Sequence, residues 1–170
     1  MLMRRAPHYS KECVSAQVKL SKTRARQTSS KLMRIETESA AGTERAAAEL
    51  ARRLAPGDAV LVRGELGTGK TTFVRGACRA LGITDPVTSP TFTIGQLYGG
   101  QNGAPEVAHL DLYRLESLSG EDPALLDDYL TPDRIAFVEW PGIAEPAIDR
   151  VAARVTLEHR GGDRRVLTIE

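Results

Sequence analysis

The sequence predicts an α/β protein: a three-layer fold with a mostly parallel central sheet and a β-hairpin at its C-terminus. Three observations point there. A short apolar run, Ala59-Val60-Leu61-Val62, leads into a glycine-rich octapeptide and then into residues with helical spacing, the order strand, loop, helix. Two more apolar runs, Val107–Leu110 and Ile135–Val138, each end in an acid, Asp111 and Glu139. Finally, Val151–His159 and Arg164–Glu170 have strand character and flank Arg160-Gly161-Gly162-Asp163, whose glycine pair reads as a hairpin turn.

The elements can be placed in order. Met33-Arg34-Ile35 opens a first strand. Between Thr43 and Leu54 the apolar residues Ala46, Ala47, Leu50, Ala51 and Leu54 share one helical face, and Ala55-Pro56-Gly57-Asp58 ends that helix. A second helix is expected from Lys70 to Leu81, with Phe73, Val74 and Ala77 inward and Gly82 as its terminator. Pro86-Val87-Thr88-Ser89-Pro90-Thr91 restricts the backbone, and a strand signal resumes at Phe92. Gly99-Gly100 and Asn102-Gly103 suggest a turn into the Val107 strand. Glu121–Leu130 reads as a helix packed through Leu125, Leu126 and Leu130.

Composition narrows the function. At 170 residues, 41% hydrophobic and 26% charged, the chain predicts one soluble globular domain. No apolar run approaches the roughly 20 residues that a membrane helix requires. Cys13 and Cys78 have neither zinc-like spacing nor a disulfide framework, which suits a reducing cytoplasm. Residues 1–34 hold nine Lys/Arg against one acid, whereas 35–170 hold fourteen against twenty-one, so no general basic footprint for nucleic acid is expected in the folded part. Residues 1–33 form a basic extension expected to be disordered. It reads as a nucleic-acid arm, a transit peptide or, as preferred here, a mis-assigned start ahead of Met33, with the domain itself spanning 34–170.

The octapeptide Gly64-Glu65-Leu66-Gly67-Thr68-Gly69-Lys70-Thr71 carries the chemistry. Phosphate needs many donors converging on a small volume, and a glycine-rich loop supplies them by turning backbone N–H groups inward. The helix that follows adds its N-terminal amides and dipole. In such a P-loop, Lys70 reaches the β- and γ-phosphates and the Thr71 hydroxyl ligates Mg²⁺. The plain alternative, a glycine turn joining strand to helix, does not require the full G-x-x-x-x-G-K-T pattern. Beyond Arg34 every cation is arginine except Lys70, where a flexible point charge suits phosphate better than a planar fork.

The acids complete the pattern. Glu139 follows an apolar strand, as the Walker B carboxylate does, and is expected to hold Mg²⁺ or orient the attacking water. Asp111 ends a neighbouring strand at the edge where α/β ligands collect. Ser89 or Thr91 reads equally as a γ-phosphate sensor or as a hydroxyl satisfying turn backbone. His109 reads as a packed or surface histidine rather than a ligand.

Four blocks together resemble the TsaE (YjeE) family: the cradle through Thr72, Ser89-Pro90-Thr91-Phe92-Thr93, His109-Leu110-Asp111-Leu112-Tyr113-Arg114-Leu115, and Val138-Glu139-Trp140-Pro141. The resemblance implies an ATPase required for N6-threonylcarbamoyladenosine at position 37 of tRNAs that read codons starting with A. It implies a TsaB–TsaD pair as partner, with TsaD transferring the threonylcarbamoyl group, and tRNA engaged only indirectly. It also implies ATP on Lys70 and the cradle amides, Mg²⁺ on Thr71 and Glu139, Asp111 beside the metal or the attacking water, and adenine between Ala40–Thr43 and Gly161. Rival readings are a small-molecule kinase and a nucleotide-gated interaction module. A GTPase of the usual kind is excluded, because its Asn-Lys-x-Asp needs a lysine and none follows Lys70.

Overall fold

The computed structural model describes residues 32–90, 93–99, 103–115 and 124–170. The elements run β1 (Met33–Thr37), α1 (Ala40–Ala51), β2 (Ala59–Arg63), α2 (Lys70–Ala80), β3 (Gly95–Tyr98), β4 (Glu106–Asp111), α3 (Ala124–Asp127), β5 (Arg134–Glu139), β6 (Val151–His159) and β7 (Arg165–Ile169). A 3-10 segment, Gly142–Ala147, lies between β5 and β6. All strands join one seven-stranded sheet in the order β1-β7-β6-β2-β5-β4-β3. Its centre, β6-β2-β5-β4, is parallel, while β3 on β4 and β6-β7-β1 form antiparallel margins. The expected class and the closing hairpin are both present.

Side-chain alternation divides the sheet into two faces. Val60, Val62, Val107, Ile135 and Phe137 pack with α1 and α2 through Ala46, Ala47, Phe73, Val74 and Ala77. Ala59, Leu61, Ala108, Leu110, Ala136 and Val138 pack with Leu126 of α3 and with Ala144 of the 3-10 segment. A strand covered on both sides needs a continuous apolar run, and the first four residues of β2 are all buried. The helices α1 and α2 approach closely at Gly76, where a Cβ would collide with the Glu44 backbone.

Several boundaries differ from the sequence reading: α1 ends at Ala51 rather than Leu54, α3 ends at Asp127 rather than Leu130, with residues 128–130 in a turn, and two starts are shifted. Helix α1 starts at Ala40 rather than Thr43, because Ser39 caps it by accepting the Gly42 amide at 3.2 Å. Its first turn, Ala-Ala-Gly, carries no apolar stripe, so periodicity could not register it. The strand expected from Phe92 begins at Gly95, since Thr93 N bonds back to Pro90 O at 3.1 Å and keeps the chain turned. The expectations for residues 1–31, Thr91, Phe92, the centre of the 99–103 turn, the helix start at 121–123 and the packing of Leu125 lie outside the described residues.

Candidate functional site

The glycine loop leaves the end of β2 and enters α2 at Lys70. Gly64, Gly67 and Gly69 have φ of 138°, 76° and 98°, the left-handed region where side chains are disfavoured. At Gly64 space is a second requirement, because a Cβ would meet the Leu157 carbonyl and Thr68 Oγ1. Gly69 is the N-cap of α2 and no side chain caps it, so the first-turn amides remain for an anion. Thr68 Oγ1 donates to Glu65 O at 2.8 Å and closes the loop on itself. Arg165 of β7 holds the loop from outside, donating to Thr68 O at 3.0 Å and Gly67 O at 3.4 Å. Sequence reasoning missed Arg165, and nothing in the pattern separates it from the other arginines.

Beneath the loop the polar residues converge. Asp111 and Glu139 are register partners on the parallel strands β4 and β5. Thr71 Oγ1 donates to Glu139 Oε1 at 2.9 Å, joining the start of α2 to the end of β5. Ser89 Oγ donates to Asp111 Oδ2 at 2.9 Å, and the Tyr113 amide donates to Oδ1 at 3.1 Å. Glu139 is 2% exposed. His109 Nε2 lies 2.9 Å from the same Glu139 oxygen, so this histidine is packed, as its place in a strand suggested, and is also bonded to a candidate site residue. Parity with Asp111 gives the face on which His109 lies but not its partner, which belongs to another strand.

Lys70 is 5% exposed and donates to Gly64 O at 2.9 Å and Glu65 O at 3.0 Å. Burial pulls its ammonium below the usual lysine range, while the charges of Glu139, Asp111 and Glu65 oppose that shift. The Lys70 Nζ sits 4.1 Å from the centre of the Trp140 ring. Trp140 adopts φ 53°, a conformation rare for a bulky residue, with its amide anchored to Val62 O at 3.2 Å. Tyr113 packs on the same ring at 4.9 Å. Leu66, Ser89, Pro90, Asp111, Tyr113 and Trp140 line a pocket of about 350 Å³, flanked by Leu66 at 81% and Tyr113 at 60% exposure.

A larger cleft of about 1240 Å³ is lined by β1, by α1 and by residues of the C-terminal hairpin, whose β7 is paired with β1. The two elements expected to hold a base therefore border the same cleft. Within the expected Ala40–Thr43 range Gly42 lines the cleft, as do the neighbouring Ser39, Arg160 and Arg164, whereas Ala40, Thr43 and Gly161 do not. The Thr43 hydroxyl is turned inward, 3.0 Å from Thr37 Oγ1.

The donor set fits Mg²⁺. That ion binds through one or two protein oxygens together with phosphates and water, and Thr71 with Glu139 offers a hydroxyl and a carboxylate side by side at the mouth of an anion cradle. Among the described residues no group of three His, Cys, Asp or Glu forms a metal cage, here or elsewhere. None of the described helices is long and apolar enough to cross a membrane.

A glycine loop between the central strand β2 and a helix, with an acid at the end of the adjacent β5 and another at the end of β4 beyond it, defines a P-loop-type α/β protein. Residues 37–167 match the model of the family described as threonylcarbamoyl adenosine biosynthesis protein TsaE, and the chain belongs to that family. It is similar to the tRNA threonylcarbamoyladenosine biosynthesis protein TsaE of Bacillus subtilis, with 39% identity over 113 residues, 66% of this chain and 69% of that protein. The Treponema pallidum protein of the same name is 30% identical over 137 residues, 81% of this chain and 99% of the relative. The crystal structure of Bacillus subtilis YdiB superposes with a TM-score of 0.64 at 30% identity, covering 82% of this chain and 84% of that one. These relationships assign the chain to the threonylcarbamoyladenosine pathway of tRNA modification.

Proposed function

We propose that this chain is the ATP-binding and ATP-hydrolysing subunit in formation of N6-threonylcarbamoyladenosine at position 37 of tRNAs that read codons starting with A. It works with a TsaB–TsaD pair, which performs the transfer and engages the tRNA. The observation that carries the reading is the 2.9 Å bond between Thr71 and Glu139 at the N-terminus of α2, with Asp111 on the adjacent strand. Loop amides and Lys70 hold the phosphates, and the Thr71 hydroxyl and Glu139 carboxylate hold Mg²⁺. Bound Mg²⁺ supplies positive charge to the phosphoryl oxygens as the terminal bond breaks. Asp111 is the less buried of the two acids and faces the 350 Å³ pocket, so it orients the attacking water while Glu139 stays with the cation.

Among the described residues, the arginine that touches the loop is Arg165, and its donors are given to backbone carbonyls. Arg114 lines the pocket beside Asp111, and until it or an arginine from a partner is seated on the transferred phosphoryl the site forgoes about 10³–10⁵ in rate, so slow turnover is expected of the chain alone. The exposed Leu66 and Tyr113 beside the pocket give a partner a surface from which to complete the site. Single-turnover ATP hydrolysis, measured alone and with TsaB–TsaD, tests this reading, and stimulation by the pair is expected. Phosphoryl transfer to a metabolite would instead identify a kinase, and binding without hydrolysis in the assembly would identify a nucleotide-gated module. Restoration of modified tRNA by residues 33–170, in cells lacking their own family member, tests the pathway role independently.

A further inference from the structure

His109 occupies a position that core packing alone would fill with an apolar side chain. It lies on β4 between Val107 and Asp111, opposite Phe137, on the face where Val107, Ile135 and Phe137 form the core. It is 0% exposed. Its Nε2 is 2.9 Å from Glu139 Oε1, the oxygen that also accepts from Thr71 at 2.9 Å. Its Nδ1, equally buried, has no hydrogen-bond partner among the described residues. A carboxylate accepts, so the nitrogen facing it donates, and a hydrogen on Nδ1 would be a buried donor with no acceptor. The surroundings therefore place a ring hydrogen on Nε2, facing Glu139.

We infer that His109 is a positioning residue for Glu139, an inference that rests on Glu139 holding the cation. Carboxylate torsions are broad, and one hydrogen bond leaves the group free to swing. Two donors on Oε1, from α2 and from β4, fix the plane of the carboxylate and set the direction of Oε2. Partners of this kind, one shell out from a metal, change its affinity by about 10–100-fold when removed. Among the described residues no partner serves Nδ1, so the polar contact the ring makes there is the one from Nε2 to Glu139.

The test combines substitution with a direct view of the ring. Trp140 is the only tryptophan and adjoins Lys70, so its fluorescence reports binding of a non-hydrolysable ATP analogue as Mg²⁺ is titrated. His109→Phe and His109→Leu should leave Mg²⁺-free nucleotide affinity unchanged and raise the Mg²⁺ midpoint about tenfold or more. His109→Gln, which can return an amide N–H to the place of Nε2, should restore the wild-type midpoint. Nitrogen-15 histidine spectra of the wild type should show the Nε2–H tautomer, perturbed by Glu139→Gln. An unchanged midpoint in either folded apolar variant, or an Nδ1–H tautomer, overturns the role of His109, and the spectra decide the matter if both apolar variants fail to fold. A wild type without any Mg²⁺ response removes the metal assignment itself, whereas a response that survives loss of the histidine donor removes only this inference.

Discussion

On the face of the sheet covered by α1 and α2, the apolar row formed by Val107, Ile135 and Phe137 gives way to His109, Asp111 and Glu139 as β4 and β5 approach their carboxyl ends. On the opposite face Ala108, Leu110, Leu112, Ala136 and Val138 stay apolar throughout. The same two strands thus build a polar site with one phase of their alternation and a plain core with the other. Charge on the second face is kept to the rim, where Glu145 is paired with both Arg63 and Arg154, the latter at 2.8 Å. Buried polarity marks the side that meets the glycine loop, and rim pairing marks the side that only has to hold together.

The contrast can be broken most forcefully at Glu139. Glu139→Gln should keep the fold and Mg²⁺-free nucleotide binding, raise the Mg²⁺ requirement and slow hydrolysis on the order of 10²–10⁴-fold, measured by single-turnover assay beside a thermal melt. A variant that hydrolyses ATP normally would move the carboxylate chemistry elsewhere. On the neighbouring strand β4 and facing the other way, Leu110→Ala should do the reverse: it should lower unfolding stability by about 2–5 kcal/mol in urea titrations and leave nucleotide affinity alone. Loss of affinity without loss of stability there would mean that the two faces are not separable. The smallest effect is expected at the rim. Donation from Arg154 and Arg63 holds the Glu145 carboxyl below its usual range. Its stabilisation is therefore whole above the ordinary glutamate value and fades as pH falls through the lower folded value. Glu145→Gln should cost about 0.5–1 kcal/mol at neutral pH, reduced by partial exposure, and the difference from wild type should vanish in acid. A difference that persists at low pH would assign the effect to packing.

The strands, the cradle and the closing hairpin were legible in the sequence because each is a local pattern: an apolar run ending in an acid, three glycines at fixed offsets, a glycine pair between strands. The meeting of Thr71 with Glu139 was legible as well, since loop chemistry and strand ends specify it together. Less legible was anything set by tertiary approach. Ser39 caps α1 ahead of any apolar stripe, so the helix start was misplaced. Arg165 touches the loop only because β7 folds back beside it, and arginine is abundant in this chain. The bond from His109 to Glu139 joins residues on separate strands, and a single histidine inside an apolar run carries no sign of which neighbour it will find.

Everything proposed for this molecule depends on a nucleotide triphosphate bound at the loop by main-chain amides and Lys70. Calorimetric titration of Mg²⁺-ATP into the wild type and into Lys70→Ala, each checked for its fold by circular dichroism, tests this directly. The wild type should bind and the folded variant should show no measurable heat of binding; equal affinities in the two would contradict the account.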